Sequence, residues 1–206
     1  MKASVAKALF NSYSYSEYKK LVSDLLKEGK STGMTQSEQL THYSLLNEAR
    51  VRRLDKTIKI SEENVLKLHA LDKQYIWLVI AEGWCADGAQ ILPIFDKMAL
   101  DSDKKIELKI VLRDDNEELM SHFLTNGARA IPKLIVIDKE TGDVVADWGP
   151  RPKGAVELIQ NYKKEHGVVD ETAKADLQMW YLHDKGLSVQ NEVMELVLGL
   201  DSQSVL

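Results

Sequence analysis

With 27 Lys and Arg against 32 Asp and Glu in 206 residues, the chain carries −5 at pH 7. That balance excludes the electrostatic footprint of a general nucleic-acid binder. Its 44% apolar and 29% charged content is that of a globular chain with a sizeable core, one domain with extensions or two small ones. The longest purely apolar run, Ile76 to Ala81, is far too short to cross a membrane, and Lys7 with no small-residue cleavage site after it argues against a signal peptide, so a cytoplasmic protein is expected.

Residues 1–58 carry several helix signals and few strand signals. Ser14 with Glu17 fits a capping box, and Gly29 can end the helix it opens. The Tyr13, Tyr15 and Tyr18 cluster reads as helix packing, a ligand platform being the other possibility. Lys30 to Gly33 reads as a loop. Thr35 with Glu38 fits a second box ahead of Leu40, Tyr43, Leu46, Arg50, Val51, Leu54 and Ile58, whose spacings of three and four predict one long amphipathic helix. The basic run Arg50, Arg52, Arg53, Lys56 and Lys59 reads as a solvated face, with contact to an acidic partner as the alternative.

The pattern changes at residue 59. Ser61 caps a short helix with Val65, Leu66, Leu68 and Leu71 on its buried side. Gln74 to Ala81 has the continuous apolar character of a strand covered on both faces. A helix with Ile91, Leu92, Ile94, Phe95 and Met98 follows, with Pro93 inside it. Ile106 to Leu112 alternates as a strand does. Asp114 or Asp115 caps a helix through Leu119, Met120, Phe123 and Leu124 that stops near Gly127. Leu134 to Ile137 is another buried strand, and the turn Lys139 to Asp143 returns the chain antiparallel along Val144 to Trp148. Gly149-Pro150 breaks the chain before a helix from Pro152 to His166. The order α-β-α-β-α-β-β-α predicts an α/β domain over 59–166, a sheet covered on both faces with an antiparallel edge. In residues 167–206, Asp170 caps a helix carrying Ala173, Leu177, Trp180 and Tyr181. Ser188 caps another carrying Val189, Val193, Leu196, Val197 and Leu200. These two are expected to pack beside the helices of residues 1–58, as a second helical extension lying on the rest.

Cys85 is the sole cysteine, so neither an internal disulfide nor a cysteine-rich zinc site can form. The histidines lack the pairing at three or four residues that a metal site needs, and no nucleophile elbow or glycine-rich phosphate loop is present. Neither metal nor cofactor is expected. Cys85 lies in Glu82-Gly83-Trp84-Cys85-Ala86-Asp87-Gly88, at a strand-to-helix junction. Unpaired N–H groups and the positive end of the helix dipole favour its thiolate, whereas Asp87 in the first turn opposes it. A nucleophilic Cys85 is expected to titrate below about 8.5, the free-cysteine value; a higher pKa counts against that use. A packed, chemically idle thiol is the other reading. Trp84 is either packing or a substrate lid, and Arg129 either lends positive charge near the sulfur or projects into solvent.

Trp84-Cys85-x-x at such a junction resembles the active-site motif of the thioredoxin family. Asn126-Gly127-Ala128-Arg129-Ala130-Ile131-Pro132-Lys133-Leu134 resembles that family's second signature, a loop ending in Ile-Pro before a strand. The resemblance covers residues 59–166. It implies a thioredoxin-like central mixed β-sheet flanked by helices, to which the N- and C-terminal helices are extra, and a cis Ile131–Pro132 bond. It implies Cys85 as catalytic nucleophile, with Trp84, Ile131 and Pro132 meeting an extended substrate and Ala86, Asp87, Gly88 and Arg129 shaping the site. Two departures stand out. The family's Cys-Gly-Pro-Cys is here Cys85-Ala86-Asp87-Gly88, so the resolving thiol is replaced by Gly88. The family's buried acid six residues before the cysteine is Val79. Dithiol turnover is therefore excluded, and any redox cycle needs an external thiol. Two functions remain open: monothiol thiol–disulfide exchange with protein or small-molecule thiols as partners, or a non-catalytic module holding a protein in the Ile131–Pro132 groove. No nucleic acid and no membrane is expected as partner.

Overall fold

An uncharged apolar run makes a stable strand only where both of its faces are covered, and Tyr75–Ala81 (β1) is such a strand. The computed structural model describes residues 1–202. In it β1 pairs in parallel with Ile106–Leu112 (β2), from Tyr75 opposite Ile106 to Ala81 opposite Leu112. On its other side it runs antiparallel to Lys133–Asp138 (β3). Val144–Trp148 (β4) adds antiparallel to β3, giving a mixed sheet of order β2-β1-β3-β4.

Alternate side chains of β1 feed two separate cores. Trp77 and Val79 join Ile91, Ile94 and Phe95 of the crossing helix Ala86–Leu100 (α5). There Phe95 meets Trp77 edge-on at 5.4 Å and Trp148 at 5.8 Å between ring centres. Leu78 and Ile80 point the other way, into a cluster with Val5 and Ala8 of Lys2–Phe10 (α1) and Leu119 and Met120 of Glu117–Ser121 (α6). The chain thus has a thioredoxin-like α/β architecture with additional terminal helices.

Tyr15–Lys27 (α2) opens on the expected capping box, Ser14 accepting from the Glu17 N–H and Glu17 accepting from the Ser14 N–H. Tyr15 and Tyr18 are buried as packing residues. Tyr13 does something else: it exchanges two backbone hydrogen bonds of 2.8 Å with Ile110, covering the outer edge of β2. Helix α1 has no counterpart among the expected elements, because its buried side is only Ser4, Val5 and Ala8, too thin a stripe for periodicity to register.

Other local details also differ from expectation. Glu38–Thr57 (α3) is capped by Ser37, whose hydroxyl accepts from the Leu40 N–H at 3.1 Å, rather than by Thr35. On Glu62–His69 (α4), Leu66 faces solvent at 70% exposure, while Leu71 is buried from beyond the helix end. Helix α6 stops at Ser121; Phe123 stays buried after it and Leu124 emerges.

The last two helices, Glu171–Asp184 (α8) and Leu187–Ser202 (α9), rest chiefly on elements of the α/β region, and of the expected packing beside the helices of residues 1–58 the structure shows α8 bordering α3, where Lys174 Nζ lies 5.8 Å from the Tyr43 ring. Helix α8 packs on Lys153–His166 (α7), and α9 packs on α4, α5 and β4. Ser188 lies inside the first turn of α9, where it bonds to Asp184 rather than capping the helix. Asp201 fastens the far end of α9 to the start of β1. It accepts from the Asp72 N–H at 2.8 Å, the Lys73 N–H at 3.2 Å and the Tyr75 hydroxyl at 3.0 Å. Replacing Asp201 with Ala strands these donors and is expected to cost about 2 kcal/mol of stability. A urea titration checks it, with a lower midpoint and an unchanged slope.

Candidate functional site around Cys85

Beyond Ala81 the chain turns through Glu82-Gly83-Trp84, and the Cys85 N–H bonds to the Glu82 carbonyl at 3.0 Å. Cys85 is then the N-cap of α5, and its Sγ accepts from the Gly88 N–H at 3.5 Å. Across from it, the loop before β3 carries a cis Ile131–Pro132 bond, and the Cys85 thiol donates to the Ile131 carbonyl at 3.3 Å. The two sequence motifs therefore meet at the sulfur. Burial pushes the Cys85 thiol up to about 12, and the nearby Asp87 carboxylate adds to that. The Gly88 and Asp87 amides and the Arg151 guanidinium pull in the other direction without offsetting it. Helix-terminus stabilisation is thus outweighed by desolvation, and the pKa below about 8.5 expected of a nucleophilic Cys85 is not met.

Asp87 is itself buried, and the chain brings a cation to it. Arg151 donates through Nε at 2.8 Å and Nη2 at 2.7 Å to one carboxylate oxygen, and the Tyr181 hydroxyl of α8 donates to the other at 2.9 Å. The hydrogen bond and charge of Asp87 raise the pKa of Arg151 although burial works against them. Burial, then the Asp87 charge, raises that of Tyr181. Arg151 reaches this position because Gly149, at φ +113°, passes so close to the Pro132 carbonyl that an added Cβ would lie 2.5 Å from its oxygen. No motif pointed to Arg151 or Tyr181, and only tertiary structure brings them to residue 87.

Glu82 was equally unmarked. It lies three residues before Cys85, not six, and the position six before is the buried Val79. Glu82 Oε1 accepts from the Asp114 N–H at 3.1 Å, while its buried Oε2 has no partner among the described residues. Desolvation raises its pKa, and the Thr32 hydroxyl and the Asp114 N–H pull it down without offsetting that. An acid closing an apolar strand, just before a turn, was the signal available in the sequence.

A cleft of about 600 Å³ opens over Cys85, between α3, α8 and the Ile131 loop. Trp84 lines it, half-buried, with the Arg113 guanidinium 4.8 Å above its ring. Ala86, Asp87 and Ile131 also line it, whereas Pro132 and Gly88 do not. Arg129 lies at the cleft wall, reaching Glu117 at 3.4 Å and Asp114 at 3.8 Å, so its charge is matched by acids rather than directed at the sulfur. Among the described residues, no three His, Cys, Asp or Glu side chains stand where they could hold a metal ion, and no helix is long and apolar enough to cross a membrane.

A central strand leading into a helix capped by cysteine, faced by a cis-proline loop on a mixed four-stranded sheet, defines a thioredoxin-like protein. A family model described as Thioredoxin matches residues 33–163, and the chain belongs to that family. No curated protein matches the chain. Among solved structures, a protein of unknown function from Pseudomonas aeruginosa is 19% identical with a TM-score of 0.55, the match covering 93% of this chain and 99% of that one. An HIV epitope-scaffold is 21% identical with a TM-score of 0.56, the match covering 91% of this chain and 99% of that one. At such identities the likeness is one of fold.

Two measurements check the site. Alkylation of Cys85 in the folded protein is expected to be slow at pH 7 and to keep accelerating beyond pH 9. Asp87→Asn should move the profile to lower pH by removing the opposing charge. A plateau below about 8.5 in the parent protein contradicts the buried-thiol account. For Glu82 the folded state holds its proton to higher pH than the unfolded state, so stability falls as pH rises through that window. Glu82→Gln is therefore expected to stabilise by about 1 kcal/mol at pH 7, raising Tm by about 2–4 °C, with the gain vanishing near pH 4.

Proposed function

We propose that the protein is a non-catalytic binding module that holds a ligand in the cleft over Cys85. The observation that carries this is the hydrogen bond from the buried Cys85 thiol to the Ile131 carbonyl. A thiol whose pKa is pushed up to about 12 keeps its proton at pH 7, and the protonated sulfur is a poor nucleophile. With Gly88 in the resolving position, a mixed disulfide has no internal route of release. The cleft, about 600 Å³, is the size that a short peptide or small molecule fills.

Monothiol exchange through Cys85 is the second reading, favoured by the Gly88 N–H on the sulfur and by Arg151 nearby. It requires an external thiol, from a protein or a small molecule, to resolve the mixed disulfide. A reducing cytoplasm suits either reading of a chain with one cysteine.

Cys85→Ser separates the two. Binding of a panel of short peptides, followed through the indole N–H resonance of Trp84 under reducing conditions, is expected to agree within about twofold between parent and variant. Reduction of hydroxyethyl disulfide, with glutathione present, is expected to be equally slow for both. Faster reduction by the parent protein, lost in Cys85→Ser, overturns the binding reading in favour of exchange.

A further inference from the structure

We infer that Arg50 is the seat for a carboxylate group of the ligand that enters the Cys85 cleft. The inference rests on the binding reading above and names the chemistry that the cleft selects. Five cationic side chains line the cleft, and four of them already have an acid. Arg113 pairs with Asp114 at 2.9 Å, Arg129 with Glu117 at 3.4 Å, Arg151 with Asp87 at 2.7 Å and Lys174 with Glu171 at 2.6 Å. Arg50 is the exception. Among the described residues no carboxylate lies within ion-pair distance of it, and its one hydrogen bond is from Nη1 to the Asn47 Oδ1 at 2.5 Å.

That single bond is itself held in place. Asn47 is buried, one turn before Arg50 on α3, and its Nδ2 donates to the Gly83 carbonyl at 2.9 Å. Gly83 stands in the turn that delivers Cys85. The amide of Asn47 is therefore oriented from that turn, and its oxygen fixes the guanidinium at the cleft wall. A guanidinium carries five N–H donors in a planar fork, so most of its donors remain for a planar two-oxygen acceptor. Burial, followed by the charge of Arg53, pushes the pKa of Arg50 down from its ordinary value, and the Asp87 carboxylate, already paired with Arg151, opposes this without offsetting it. An incoming carboxylate removes that cost. The protonated state of Cys85 is compatible with such a ligand, whereas a thiolate on the same wall would repel it.

The carboxylate can belong to an acidic peptide or to a small free acid, and the test distinguishes them. The full-length reduced protein is titrated with acetyl-Gly-Glu-Gly-amide, with acetyl-Gly-Gln-Gly-amide and with glutarate, following the Trp84 indole resonance. The Glu peptide is expected to bind at least about 10-fold more tightly than the Gln peptide. Arg50→Gln is expected to erase that difference, Arg50→Lys to restore part of it, and a rise from about 20 to 200 mM salt to weaken it. Glutarate matching the Glu peptide assigns the seat to free acids; glutarate binding weakly assigns it to acidic peptides, and either result supports the inference. Equal binding of the Glu and Gln peptides, unchanged by Arg50→Gln, overturns the carboxylate seat and leaves the binding module standing. Absence of any response to the acidic probes, with neutral peptides of the panel still bound, overturns it likewise. Absence of every response, neutral peptides included, overturns both.

Discussion

A carboxylate buried in the first turn of a helix must be matched, because an unpaired internal charge costs several kcal/mol. In this chain the residue is Asp87, and two distant segments are arranged around it. The turn after β4 supplies Arg151, α8 supplies Tyr181, and α5 presents the carboxylate between them. Both partners come from outside the motif. Consequently α8 is part of the site's wall, and the first turn of the helix that begins at Cys85 is held by two separate segments. Each of these elements also contributes to the cleft, so the same ion pair that satisfies Asp87 shapes the space a ligand enters.

The sulfur feels two opposing effects at this helix start. Amide N–H groups and the dipole stabilise a thiolate there, each worth up to a pKa unit or so at short range. Burial under Trp84 and Ile131, with Asp87 beside it, acts the other way and is larger. A two-cysteine site can exploit a marginal thiolate, since a neighbouring thiol completes the exchange. With Gly88 in that place no neighbouring thiol completes an exchange, and a packed thiol bonded to the Ile131 carbonyl is physically consistent with the rest of the site.

The parts legible in the sequence were those governed by local rules. The uncharged run of β1, the alternation of β2 and the turn at Lys139 to Asp143 set the strands, and the Trp84-Cys85 and Ile131-Pro132 segments identified where the chain would converge. What escaped was set by long-range matching. Tyr13 looks like a packing aromatic until it pairs with Ile110, and Asp201 looks like a helix-end acid until it meets the donors at the start of β1. Helix α1 shows too thin an apolar stripe, although Leu78 and Ile80 require something like it on their face. Ser37 rather than Thr35 caps α3, a choice between neighbouring hydroxyls that spacing alone does not make. The role of Arg50 was hidden for the same reason: in sequence it belongs to a basic run on a solvated face, and only the fold turns that position toward Cys85.

Arg50 also explains why α3 belongs to the site as much as the motif does. Its neighbour Asn47 is bonded to Gly83, so the helix is tied to the turn that delivers Cys85. A guanidinium tethered in this way loses little further freedom when a ligand arrives, which lowers the entropic cost of binding. The four matched cations of the cleft form a wall whose charges are largely satisfied, and they contribute shape and donors more than net attraction. The unmatched one supplies direction. Recognition in such a cleft is therefore governed by where one anionic group meets Arg50 and by what the rest of the ligand finds above Trp84 and the protonated sulfur.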